Sequence, residues 1–195
     1  SAARVQSIMA AQQNAQRAIA LDDADAQALA VIGLVRLVSR QHEAAINTLE
    51  RAIELNPNLA NAHASLGLAL AFCGESDAAA ARVEQAMRLS PRDPMNVFWF
   101  NVLALASFVA GRYEEAAAWS EKTIEGNAEY AGGFRSAAAS YGRLGRNEEA
   151  RAALERLLQL SPGLTLQGTK AQLPFKDDAD MVRYLEGISA AGLSE

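Results

Sequence analysis

Apolar side chains recur along this chain at intervals of three and four residues and never alternate with polar ones over a useful run. That is the spacing of one helix face, not of a strand. Three segments superpose when aligned on their last residue: EAAINTLERAIELNP ending at Pro57, DAAAARVEQAMRLSP ending at Pro91, and EEARAALERLLQLSP ending at Pro162. Pro57 and Pro91 lie 34 residues apart, and Pro91 and Pro162 lie 71 apart, two periods plus three residues. The middle copy is EEAAAWSEKTIEGNA, ending at Ala128, with the three extra residues between Arg92 and Asn96.

Each copy has an earlier half. Its fourth, seventh and eighth places hold Leu29, Ile32 and Gly33, then His63, Leu66 and Gly67, then Phe100, Leu103 and Ala104, then Phe134, Ala137 and Ala138. The twentieth place is always alanine (Ala45, Ala79, Ala116, Ala150), and the twenty-seventh holds Ala52, Ala86, Thr123 and Leu157. The pattern predicts a first helix of about twelve residues, a turn at Arg40-Gln41, Gly74-Glu75, Gly111-Arg112 or Gly145-Arg146, and a second helix ending before the proline. Small residues at the eighth and twentieth places let the two helices cross closely. Neither helix can bury its apolar face alone, so the units must stack into a helical solenoid.

These residues resemble the tetratricopeptide repeat, with a large residue at place four, Leu at seven, Gly or Ala at eight, Ala at twenty and twenty-seven, and Pro at thirty-two. The resemblance implies an all-α, right-handed solenoid of antiparallel helix pairs forming one domain over residues 1–195. Its divisions are a partial repeat at 4–23, full repeats at 26–59, 60–93, 97–130 and 131–164, and capping helices over 165–195. Tryptophan is absent from every fourth place, and the third unit departs furthest, with Ser120, Thr123 and Ala128 at its last signature places.

The ends break the period. In 4–23, Ala11, Ala15 and Ala18 read as a second helix without its first-helix partner, with Asp22-Asp23 in place of the proline, so a fragment of a longer chain is expected. After Pro162 a short helix over Leu164 to Gln172, a break at Leu173-Pro174-Phe175 and a last helix capped by Asp177 or Asp178 are expected. That last helix has two readings: a lid on the fourth unit, or a helix inserted into the groove or into a partner. The tail LPFKDDADMVRYLEGISAAGLSE is also similar to the C-terminal region of bacterial class III adenylate cyclase-like proteins, through Gly187, Ala191, Gly192, Leu193 and Glu195. This second resemblance implies a regulatory or oligomerisation region of a larger bacterial signalling protein. Similar regions follow winged-helix domains in transcriptional regulators, and a free-standing adaptor is the third reading.

Composition narrows the chemistry. Alanine accounts for 42 of the 195 residues, as repeated close helix crossings require. The net charge of −5 is evenly spread, with 8 basic and 10 acidic residues up to position 96 and 10 and 13 after it, so no nucleic-acid partner is expected. The apolar run from Val97 to Ala110 is too short to span a membrane and reads as a buried helix. The lone Cys73 leaves a reducing, cytoplasmic compartment as the expectation. His42 and His63 lack metal-ligand spacing, no phosphate loop is present, and acidic pairs such as Glu114-Glu115 complement helix N-termini. No catalytic residue, metal or cofactor is expected.

The surface remains. In the repeat family the first helices line a concave groove, and the places that do so point here to Leu34, Val38, Asn61, Leu68, Phe72, Phe98, Asn101, Leu105, Phe108, Arg135 and Arg143. Three units offer apolar groups and the fourth offers two arginines. Such a groove suits an amphipathic helix of a protein or peptide partner, its acidic end at Arg135 and Arg143. The alternatives are that the missing N-terminal domain, the chain's own tail or a second copy in a homodimer covers it. On the groove reading, Phe72→Ala with Phe108→Ala is expected to abolish partner capture.

Overall fold

In the computed structural model, which describes residues 2–21 and 24–194, eleven helices follow one another and no strand occurs among the described residues. Helix α1 (Ala2–Leu21) packs against α2 (Ala26–Val38) and buries Ala15. Asp22-Asp23 and Glu195 lie outside the described residues. Four helix pairs follow: α2 with α3 (His42–Leu55), α4 (Ala60–Phe72) with α5 (Ser76–Leu89), α6 (Asn96–Val109) with α7 (Tyr113–Gly126), and α8 (Ala131–Leu144) with α9 (Asn147–Leu160). Helices α10 (Leu166–Gln172) and α11 (Asp178–Ala190) complete the chain. This is the stacked-pair architecture that the 34-residue period predicts.

The periodic alanines explain the spacing between helices. Ala45, Ala79, Ala116 and Ala150 are wholly buried where each second helix crosses its partner, and Ala52 and Ala86 are buried one stack further on. The third unit keeps the same register despite its departures. Ser120 and Thr123 are fully buried, and their hydroxyls donate to the carbonyls of Ala116 and Trp119 one turn back at 2.7 and 2.9 Å. A hydroxyl satisfied within its own helix costs little where alanine is expected. The run from Val97 to Ala110 forms most of α6, with Trp99 and Val102 to Val109 buried. No helix among the described residues is long and apolar enough to cross a membrane.

The turns within pairs need a left-handed residue. Gly74, Gly111 and Gly145 supply it at φ of 87°, 76° and 70°, whereas the first unit places Arg40 there at φ 60°. For a residue with a Cβ that conformation costs about 1 kcal/mol or more, and the Arg40 side chain finds a use at the candidate site.

Candidate functional site

The first helices α2, α4, α6 and α8 lie side by side, so their inner faces form one surface. The C-terminal segment crosses it. After α10 the chain runs extended through Leu173-Pro174-Phe175 and enters α11, which packs chiefly against α8. The last helix thus covers the fourth unit and does so from the groove side, and Leu193 and Ala191 at its end are buried in the same core as Leu154 of α9.

Close packing seats α11. A Cβ at Gly142 would stand 1.9 Å from the Gly187 carbonyl oxygen, and one at Gly187 would stand 2.3 Å from that of Ala139. Only two glycines facing each other allow backbones this near. Around this crossing, Tyr184 packs edge-on to Phe108 at 4.9 Å between centroids, and Phe175 packs edge-on to Phe72 at 5.1 Å. Arg143 donates to Glu186 at 2.8 Å, so it is engaged by the tail. Main-chain groups are held as well: the Lys176 N–H donates to the Phe72 carbonyl at 2.9 Å, and Arg183 donates to the Val109 carbonyl at 3.3 Å. From the first turn, Arg40 donates to the carbonyls of Lys170 and Leu173 at 3.0 Å and of Phe175 at 3.4 Å, and His42 Nε2 lies 2.7 Å from that of Pro174. The strained Arg40 therefore ties the first unit to the tail.

Between this strap and the inner helices lies a cavity of about 180 Å³. Seven of the eleven residues expected in the groove line it: Leu34, Val38, Leu68, Phe72, Asn101, Leu105 and Arg135. The other four lie apart from it. Asn61 is half-buried on α4, Phe98 stacks edge-on against Tyr130 at 4.6 Å, Phe108 is buried under Tyr184, and Arg143 holds Glu186. Leu37 lines it too, and sequence reasoning missed Tyr130, Ser136 and the tail residues Gln172, Leu173, Pro174 and Tyr184, which complete the wall. The Leu-Pro-Phe break, three adjacent apolar residues in an otherwise polar stretch, was the available signal.

This arrangement alters the meaning of the phenylalanine pair. Phe72 and Phe108 are 5% and 1% exposed, both against tail aromatics. Replacing them removes core and cannot serve as a test of partner capture.

The polar wall is a short network. Ser136 Oγ donates to Asn101 Oδ1 at 3.0 Å and lies 3.3 Å from the Tyr184 hydroxyl, and Asn101 Nδ2 approaches the Tyr130 hydroxyl at 3.5 Å. Burial pushes the Tyr130 phenol above its ordinary pKa, so it stays a protonated donor. The nearby Arg135 has its Nε buried without a hydrogen-bond partner and forms no ion pair among the described residues. Elsewhere, His63 Nε2 meets the Pro57 carbonyl at 2.9 Å, burial raises the Cys73 thiol, and no cluster of three or more metal-ligating side chains occurs among the described residues.

The comparisons with known proteins agree with this geometry. Residues 41–71 match the TPR repeat family and residues 136–163 the tetratricopeptide repeat family, so the chain carries tetratricopeptide repeats. Among solved structures, PilW, described as a widely conserved type IV pilus biogenesis factor, superposes with a TM-score of 0.71 at 16% identity, covering 96% of this chain and 83% of PilW. PilF of Pseudomonas aeruginosa gives 0.68 at 18% identity over 93% and 82% of the two chains. YrrB, described as a TPR protein with an unusual peptide-binding site, gives 0.56 at 16% identity over 91% and 90%. At these identities the likeness is one of fold. No curated protein matches the sequence significantly.

Proposed function

We propose that this chain is a non-catalytic protein-interaction module that receives a short partner segment on the α2–α4–α6 part of its inner face. The observation that carries the reading is the contrast in exposure along that face. Val38 and Phe98 remain 40% and 37% exposed, with Leu34 and Leu68 half-buried between them, while the α8 part is covered by α11. Apolar groups left in the open, Val38 on the wall of a cavity and Phe98 outside it against Tyr130, mark a contact surface. Helical repeats of this kind serve generally as interaction scaffolds, which supports the same reading. An amphipathic helix running the whole length of the groove would collide with α11, so the partner segment is short.

A photo-reactive benzoylphenylalanine at Val38, compared with one at Ala81 on the exposed side of α5, tests this in cells that make the protein. Cross-links to another protein from position 38 and not from 81 are expected. Cross-links from 81 alone, from neither, or only to a second copy of the chain would overturn the reading.

A place within a larger adenylate cyclase-like signalling protein rests on sequence pattern alone, that of the tail and of SPRDPMNVFWF, GRYEEAAAWSEKTI and YGRLGRNEEARAALERLLQLSPGLTL before it. Gly187, Ala191, Gly192 and Leu193 each have a packing duty here: Gly187 admits α8, Gly192 turns at φ 111°, and Ala191 and Leu193 are buried. The pattern is therefore also what a tail seated in this groove demands. The codons upstream of Ser1 test the parent directly, since a cyclase domain would be encoded there.

A further inference from the structure

The cavity beneath the strap has a composition that selects its ligand. Its floor is apolar, from Leu34, Leu68, Phe72 and Leu105, while Tyr130 and Arg135 present donors at its polar end, beside the Gln172 amide and the Ser136 and Tyr184 hydroxyls. Asn101 Oδ1 is already taken by Ser136, and Asn101 Nδ2 faces the Tyr130 oxygen, which leaves the Tyr130 proton to point elsewhere. Arg135 lines the same cavity with a buried, unpartnered Nε. The Tyr130 ring reaches this place only because position 132 is glycine: a Cβ there would stand 2.5 to 2.7 Å from the ring and its hydroxyl. A guanidinium held beside a neutral hydroxyl donor, in an apolar recess and without a carboxylate of its own, is half of an ion pair.

We propose that this cavity is a binding site for a short, branched organic monocarboxylate, its carboxylate held by Arg135 and Tyr130 and its hydrocarbon body on Leu34, Leu68 and Leu105. Size supports the class. At roughly 30 Å³ for each water-sized group in a liquid, a cavity of about 180 Å³ takes about six such groups. A four-carbon acid has six heavy atoms and 3-methylbutanoate seven, both close to that size. The same skeleton is presented by a free acid or by the C-terminal valine of a protein, and both carry the chemistry the site reads. The inference rests on the inner-face reading for its location only.

The test uses the whole chain, titrated with 3-methylbutanoate and with its amide and followed by amide chemical shifts and calorimetry. The acid saturates and perturbs residues lining the cavity; the amide does not. Arg135→Met, which keeps the aliphatic stem, weakens the acid at least tenfold while helicity is unchanged, and Tyr130→Phe weakens it several-fold. Leu68→Trp, which fills the recess, abolishes binding. Equal binding of acid and amide, absence of saturation by any ligand, or an unaltered Arg135→Met variant overturns the proposal. A short peptide ending in Val, with free or amidated terminus, separates the sources. Tighter binding of the free-terminus peptide than of the acid makes a partner's C-terminus the ligand, and the reverse makes it a small molecule. Loss of carboxylate binding with intact cross-linking at Val38 refutes this inference and leaves the interaction module standing.

Discussion

The two ends of the inner face begin from equivalent repeat places and reach opposite states. In the fourth unit the inward places hold Gly132, Arg135, Ala139, Gly142 and Arg143, and α11 comes down on the small ones until backbones touch through Gly142 and Gly187. In the first two units places nine to thirteen include Leu34, Leu37, Leu68 and Phe72, whose side chains line a recess beneath the tail that no helix fills. Side-chain volume at one repeat place decides whether a solenoid groove is sealed or available. Arginine plays both parts: Arg143 is consumed by Glu186 on the tail, and Arg135, two turns earlier, is left without an anion.

This contrast breaks most sharply at the sealed end. Phe108→Ala removes a ring that touches both Tyr113 and Tyr184, and urea unfolding is expected to show a loss of about 3–5 kcal/mol. Next in size, Gly187→Val places a side chain against the Ala139 carbonyl, which no rotamer relieves. It should cost roughly 1–3 kcal/mol or more, accompanied by increased amide exchange along α11. If its stability is unchanged, the backbone contact is not what seats the tail.

Arg40→Met keeps the left-handed turn but removes the hydrogen bonds to the tail carbonyls. Since Arg40 is largely exposed, the expected loss is about 1 kcal/mol, with faster proteolysis between Gln172 and Lys176 as its local sign. At the open end, Val38→Ser should leave the melting curve within about 0.5 kcal/mol of the parent, because the side chain packs little. A large loss there would mean that the recess is part of the core, and the distinction between the two ends would fail.

Much of the fold was readable because it is periodic. A 34-residue spacing of small and large residues repeats the same local instruction four times, so even the third unit, with Ser120 and Thr123 in alanine places, was assigned to the register in which they are found buried. The inward-facing residues were readable for the same reason, and most of them line one cavity. What stayed hidden lies in contacts made once. Phe72 meets Phe175 across 103 residues of chain and Phe108 meets Tyr184 across 76, and no period links them. Without those contacts, Phe72 and Phe108 look like an open binding surface when they are in fact core. Tyr130 escaped for a related reason: it lies just before a helix, and only the bare Cα of Gly132 lets its ring fold over the first turn of α8.

By itself, then, the sequence determined the helix pairs, their order and the face each turns inward, since these follow from local spacing and from the volume of residues where neighbouring helices cross. Whether that inward face was open, closed or partly closed was decided by the tertiary structure. The tail's seat depends on a fit between surfaces distant along the chain, two glycines opposed at a crossing and aromatic rings meeting edge to face, and such complementarity exists only once the solenoid has formed.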